Sequence, residues 1–202
     1  MRRQLDLFSL RQAAPAFDAT FASAVRSELP LGAWVEHAPG WLAGHDALFD
    51  ELERDVRWRS ERRPMYDRVV DVPRLVAGPD DAPPHPLLEA MRAALSARYD
   101  ETFVRVSFAL YRGGDDSVAW HGDTVARDLP AALVATVSLG SRRRFLMRPT
   151  EGGASRAWML GGGDLFVMGG TAQRTWRHAV PKVVAAGPRL ALMFRPAWGD
   201  PP

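Results

Sequence analysis

Apolar residues change their period midway along the chain. From Thr102 onward they recur at every second position in short runs separated by Gly-rich turns: 103–111, 117–121, 133–139, 144–148, 156–160, 164–168, 175–180 and 189–195. Alternation at period two marks strands with one face buried, so eight strands are expected. Eight short strands packing into one core suggest a jelly roll, the double-stranded β-helix, or a small barrel. Ahead of them the apolar spacing is helical, over about Asp18 to Glu28, His45 to Val56 and Leu87 to Arg98. The stretch AGPDDAPPHP from Ala77 to Pro86 reads as a loop by its Pro, Gly and Asp content. Helices grouped before a sheet imply an α+β fold, in which N-terminal helices pack on one face of the jelly-roll core. The expected organisation is a single domain over 1–202, with mainly helical support in 1–100 and the core in 101–198.

Composition narrows the chemistry. The 202 residues are 47% apolar and 25% charged, ordinary for a globular chain with a real core. There are no cysteines, which excludes disulfides, thiolate metal sites and a cysteine nucleophile, so any metal must take nitrogen and oxygen ligands. Lys182 is the one lysine among 26 basic residues, and the net charge is +2. A nucleic-acid partner would explain the arginine richness, but the codon bias of a GC-rich genome explains it more readily. Local clustering matters more, because phosphate binding responds to local charge. Six arginines fall between Arg54 and Arg68, and Arg142, Arg143 and Arg144 form a run that reads as a solvated hairpin end or a phosphate contact. Asp6 and Arg11 interrupt the N-terminal apolar stretch, and no run of about 18 apolar residues occurs. The expectation is a cytoplasmic monomer with no membrane partner.

Within SVAWHGD, His121 and Asp123 are two apart on an expected strand and project to the same side. His178, in TWRHAVP, lies on a second strand and shares its face with Trp176 and Val180, surroundings in which a satisfied core histidine is the ordinary outcome. Two histidines and one carboxylate together make the facial triad of nonheme Fe(II), which leaves coordination positions open for a cosubstrate and O2. In PRLALMFRP, Arg189 and Arg195 share one face with Ala191 and Met193, opposite Leu190, Leu192 and Phe194. Arginines facing the inside of a barrel call for an anion, and their forks suit carboxylates; on an exposed face they would simply be solvated.

YRGGDDSVAWHGD, followed by GDLFVMGGTAQRTWRHAVPK and PRLALMFR, resembles the AlkB family of Fe(II)- and 2-oxoglutarate-dependent dioxygenases in order and spacing over roughly Phe103 to Pro196. The resemblance implies that His121, Asp123 and His178 ligate Fe(II). It further implies that Arg189 pairs with the distal carboxylate of 2-oxoglutarate, that Arg195 lies near its other end, and that the Tyr111 hydroxyl helps to hold it. The implied reaction is oxidative dealkylation of N-alkylated bases in DNA or RNA, in which O2 and 2-oxoglutarate are consumed, succinate and CO2 form, and an aldehyde leaves the base.

For substrate contacts the segment RRPMYDRVVDVPRL stands out. Met65 and Tyr66 offer stacking surface, and Pro73-Arg74-Leu75 resembles the start of the family's nucleotide-recognition lid, expected within 60–80. Departures from the family pattern are Ala109 and Ala191, where relatives often carry asparagine, Thr124 and Val125, where an acid often follows the H-x-D, and Val76-Ala77-Gly78-Pro79 in the lid. These departures keep two alternatives open: an oxygenase acting on a protein, lipid or small molecule, and a non-catalytic cupin-like binding module.

Overall fold

The computed structural model describes residues 14–65, 68–123 and 129–196, and for 61–65 and 68–71 it describes the backbone alone. In chain order the strands are β1 (Ala16–Phe17), β2 (Val25–Glu28), β3 (Ala33–Ala38), β4 (Leu42–Ala43), β5 (Arg59–Met65), β6 (Arg68–Ala77), β7 (Phe103–Tyr111), β8 (Val118–His121), β9 (Val134–Gly140), β10 (Arg143–Pro149), β11 (Arg156–Leu160), β12 (Asp164–Gly170), β13 (Trp176–Val180) and β14 (Arg189–Pro196). Helix α1 (His45–Asp55) precedes β5, α2 (Pro86–Tyr99) precedes β7, and the short α3 (Ala172–Thr175) leads into β13.

Two antiparallel sheets carry the fold. The larger has the order β2-β3-β12-β9-β14-β7-β6-β5 and the smaller β11-β10-β13-β8. All eight strands expected after residue 101 form, and their alternation builds two separate cores. On one side of the large sheet, Leu48 and Leu52 of α1 and Leu88, Met91 and Leu95 of α2 pack against Phe108, Leu110, Val137, Leu190, Leu192 and Phe194. Each such side chain, once fully buried, contributes roughly 2 kcal/mol. The opposite side forms a second core between the sheets, from Ala109, Tyr111, Val134, Phe145, Phe166, Met168, Trp176 and Ala191. It is this inter-sheet space that holds the polar residues singled out above.

The first hundred residues depart from the expected helical support: among the described ones six strands form, and α1 and α2 are the helices longer than one turn. The helix expected over Asp18 to Glu28 is absent. The Asp18 carboxylate instead accepts from the Thr20 and Ala22 backbone N–H groups at 2.8 and 2.7 Å, closing a tight turn, and Phe21 takes φ 55°. Such local bonds compete with a helix, and Val25–Glu28 then pairs with β3. The expected lid region at 60–80 is largely a hairpin, β5 and β6, that extends the large sheet beyond β7, with Leu75 opposite Leu110 and Val76 opposite Ala109. Ala109 faces the inter-sheet core, so Val76 and Arg74 face it too.

Close backbone approach fixes β12 between its neighbours. A Cβ on Gly169 would lie 2.1 Å from the Trp34 ring, and one on Gly163 would lie 2.0 Å from the Leu42 carbonyl oxygen. Among the described residues no helix is long and apolar enough to cross a membrane.

Candidate active site

A cavity of about 460 Å³ opens between the sheets, lined on one side by His121, Asp123 and His178 and on the other by Tyr111, Arg189, Arg195 and Arg74. The two histidines are direct partners in the β8–β13 ladder. Asp123 follows β8 by two residues and returns to the same side, and one potential ligand atom from each residue lies within 4.8 Å of the others.

The surroundings of the three side chains suit metal ligation. His121 Nδ1 is 2.8 Å from the Ala119 carbonyl oxygen. A proton on Nδ1 donated there leaves Nε2 as the basic nitrogen, the arrangement that commonly orients a metal-binding histidine. His178 is buried, with Phe145 stacked on it at 5.4 Å and the His121 ring at 4.2 Å. Burial, helped by the neighbouring His121, pulls its pKa down to about 3. The imidazole is therefore neutral at pH 7, as a ligand must be. Burial pushes the Asp123 carboxyl up, but the charges of Arg195, His178 and His121 outweigh it and hold the group below the usual carboxylate range. Arg195 Nη2 donates to Asp123 at 3.2 Å, and Gln173 Oε1 accepts the Asp123 backbone N–H at 3.2 Å.

Across the cavity the arginines sit as β14's alternation dictates. Arg189 is 2% exposed, donates from Nη2 to Ser138 Oγ at 2.7 Å and lies 5.3 Å from the Tyr111 ring. Arg195 donates to the Ser107 hydroxyl through Nη1. Among the described residues, Nε of Arg189, Nε of Arg195 and both Nε and Nη1 of Arg74 are buried without a hydrogen-bond partner. Burial lowers the Arg189 pKa, yet a guanidinium keeps its proton in proteins, so its charge needs an anion. A dicarboxylate fits this wall, as a borderline first-row divalent cation such as Fe(II) fits the N,N,O set opposite.

Ser138 and Gln173 are absent from the residues singled out by sequence. The available signal for Ser138 was the V-A-T-V-S-L pattern of β9, in which Thr136 and Ser138 interrupt an apolar strand at period two. Arg143 is not solvated: it is 2% exposed and donates to the carbonyls of Gly113, Asp116 and Pro181, each at 2.8 Å. It thereby ties the β7–β8 loop to the end of β13, while Arg142 and Arg144 are exposed. The Met65 side chain, Tyr66, Thr124 and Val125 lie outside the described residues. Ala109 and Ala191 face each other across the β7–β14 ladder in the cavity wall.

Residues 51–195 match the 2OG-Fe(II) oxygenase superfamily. The chain is 30% identical over 188 residues to the alpha-ketoglutarate-dependent dioxygenase alkB homolog 3 of Bos taurus, covering 81% of this chain and 66% of that protein. It is 29% identical over 178 residues to the DNA oxidative demethylase ALKBH2 of Homo sapiens, covering 74% and 67%. In fold it is similar to OsALKBH1, with a TM-score of 0.59 at 14% identity over 86% of this chain and all of that one. It is also similar to a 2OG-Fe(II) oxygenase-family oxidoreductase from Burkholderia pseudomallei, with a TM-score of 0.57 at 13% identity over 88% and 87%. The inter-sheet cavity, its triad and its arginine wall thus sit in a chain that belongs to the 2OG-Fe(II) oxygenase superfamily, on its AlkB branch.

Proposed function

We propose that this chain is an Fe(II)- and 2-oxoglutarate-dependent dioxygenase that removes N-alkyl groups from bases of DNA or RNA. It works as one domain over 1–202, as a monomer in the cytoplasm. The observation that carries the reading is the pairing of the His121–Asp123–His178 cluster with a facing wall of buried, partly unpartnered arginines. The relatives' names supply the substrate class, alkylated DNA.

Fe(II) held by His121, Asp123 and His178 would supply activation of O2, coupled to conversion of 2-oxoglutarate into succinate and CO2. Arg189, positioned by Ser138, grips one carboxylate of the cosubstrate, with the Tyr111 hydroxyl beside it. Arg195 serves the Asp123 end, where its bond to the carboxylate also fixes that ligand's orientation. Val134, Phe145, Met168, Ala109 and Ala191 line the cavity with apolar surface that excludes water from the oxidation. Arg74, with two unpartnered donors, faces the incoming substrate, and Met65 and Tyr66 are the further substrate contacts that the sequence offers. Hydroxylation of the N-alkyl carbon yields a hemiaminal, which loses an aldehyde and leaves the unmodified base. A base inside a duplex has to be flipped out, at a cost of a few kcal/mol.

Iron-loaded protein incubated with methylated oligonucleotides should release succinate and formaldehyde in equal amounts, and His121→Ala should release neither. If 2-oxoglutarate is consumed without any response to oligonucleotides, the substrate is a protein, lipid or small molecule. Absence of turnover together with absence of 2-oxoglutarate binding in Mn(II) would leave a binding module.

A further inference from the structure

The small sheet has a second face. Because His121 and His178 point into the cavity, their neighbours Trp120 and Arg177 point outward, and so do Arg144, Leu146 and Arg148, which alternate with the buried Phe145 and Met147. The register sets Arg148 directly opposite Arg177 and Leu146 opposite Ala179. Like charges facing each other across an antiparallel pair repel, and among the described residues no carboxylate pairs with either. Glu151, in the turn after β10, leaves both unpaired too. The Arg148 guanidinium lies instead 4.2 Å from the Trp120 ring, reaching over the small side chain of Ala179. Arg144 stands on the same face opposite Met159, which is 48% exposed.

This face communicates with the active site. A cleft of about 440 Å³ runs between the two, lined by Gly122, Asp123, Gln173, Arg174, Trp176 and Arg177, with Thr150 at its rim. Asp123 belongs to the triad, and Arg177 belongs to the outer face.

We propose that this outer face is a track for single-stranded nucleic acid, on which one phosphate bridges Arg148 and Arg177, Arg144 takes another, and a base or sugar packs on Trp120. The proposal rests on the nucleic-acid reading given above and extends it to a surface outside the cavity. A bridging phosphate turns the Arg148–Arg177 repulsion into two charge-assisted hydrogen bonds. Guanidinium groups interleaved with an aromatic ring are what a strand with splayed bases requires, whereas a duplex keeps its bases stacked and out of reach of Trp120. Both arginines face solvent, so their replacement leaves the cores intact.

The test is fluorescence anisotropy with the full chain and a labelled 12-nucleotide single strand, using a trinucleotide too short to reach the face as reference. Arg148→Gln combined with Arg177→Gln should weaken binding of the 12-mer roughly tenfold and lower the slope of log K against log salt by about 0.7, one phosphate contact's worth. It should change trinucleotide binding less than twofold. The paired lysine variant should keep the wild-type slope, and Arg144→Gln alone should lower it by about 0.7. Unchanged affinity and slope in the Gln variants, or equal binding of polyglutamate and the 12-mer by the wild type, overturn the track. If the wild type demethylates oligonucleotides while the variants bind as it does, the track alone fails. If the wild type binds no oligonucleotide even at low salt, the nucleic-acid reading falls with it.

Discussion

Ser138 is fully buried and supplies a hydroxyl to Arg189 across 51 positions of sequence. Without it the guanidinium would keep its burial and lose a fixed partner, so its fork could swing away from an incoming carboxylate. Ser138→Ala should raise the KM for 2-oxoglutarate by roughly tenfold, equivalent to about 1.4 kcal/mol, with little change in kcat at saturation. Steady-state kinetics across a 2-oxoglutarate titration would measure it, and an unchanged KM would remove Ser138 from the grip. Gln173 of α3 shows the same economy, where one amide oxygen holds the backbone of Asp123. Such residues escape sequence reading because a single polar side chain in an apolar run looks like noise until its remote partner is known. His121, Asp123, His178, Arg189 and Arg195 were legible because strand alternation assigns each a face, and those faces turned inward together.

At the scale of elements, β12 begins at a titratable anchor. Asp164 is 2% exposed and accepts the N–H groups of Gly40 at 2.8 Å and Gly161 at 3.2 Å, with His37 Nε2 at 3.7 Å. Burial pushes its carboxyl up, but the His37 contact and the two backbone bonds outweigh burial and leave its pKa below the usual range. A folded-state pKa below the unfolded one stabilises the fold above the unfolded value, about 3.9, and that contribution is lost as pH falls through the folded pKa. Urea unfolding followed from pH 7 downward should therefore show stability falling below about pH 4, and Asp164→Asn should be less stable at pH 7 with a flatter acid limb. An unaltered limb would place the acid sensitivity elsewhere. The strands from β7 to β14 were readable because each is a short apolar or alternating run bounded by turn residues, even though β9, β12 and β14 are buried on both faces. Those before α2 were not, since β1 and β4 are two residues long and β5 reads Arg-Ser-Glu-Arg-Arg-Pro-Met with no apolar period. Pairing makes them strands, β1 with β4 and β5 with β6 in the hairpin.

Taken whole, the molecule divides its candidate ligands between two sheets: the triad comes from the small sheet and the carboxylate grips from the large one, with Arg195 to Asp123 as a direct bond between them. A metal and a dicarboxylate bound together would span that gap. Mn(II) with 2-oxoglutarate, each at 100 times its dissociation constant, should stabilise the fold by about 2.7 kcal/mol for each ligand, raising Tm by roughly 10 °C or more. The His178→Ala protein should lose the metal-dependent part, and differential scanning fluorimetry would read both. Equal shifts in wild type and variant would mean that the metal binds elsewhere.

The register of β14 has a further consequence for how such a chain can change over generations. Arg189, Ala191, Met193 and Arg195 face the cavity, while Leu190, Leu192 and Phe194 fill the helix-covered core. One residue inserted within the strand would exchange these faces, driving two guanidinium groups among the leucines and leaving the cavity lined with hydrocarbon. The connection from Pro181 to Pro188, just upstream, carries no such parity, so a change of length between its anchored ends leaves the faces of β14 in place. Insertions and deletions in descendants of this sequence should accordingly accumulate before Arg189 and stop there.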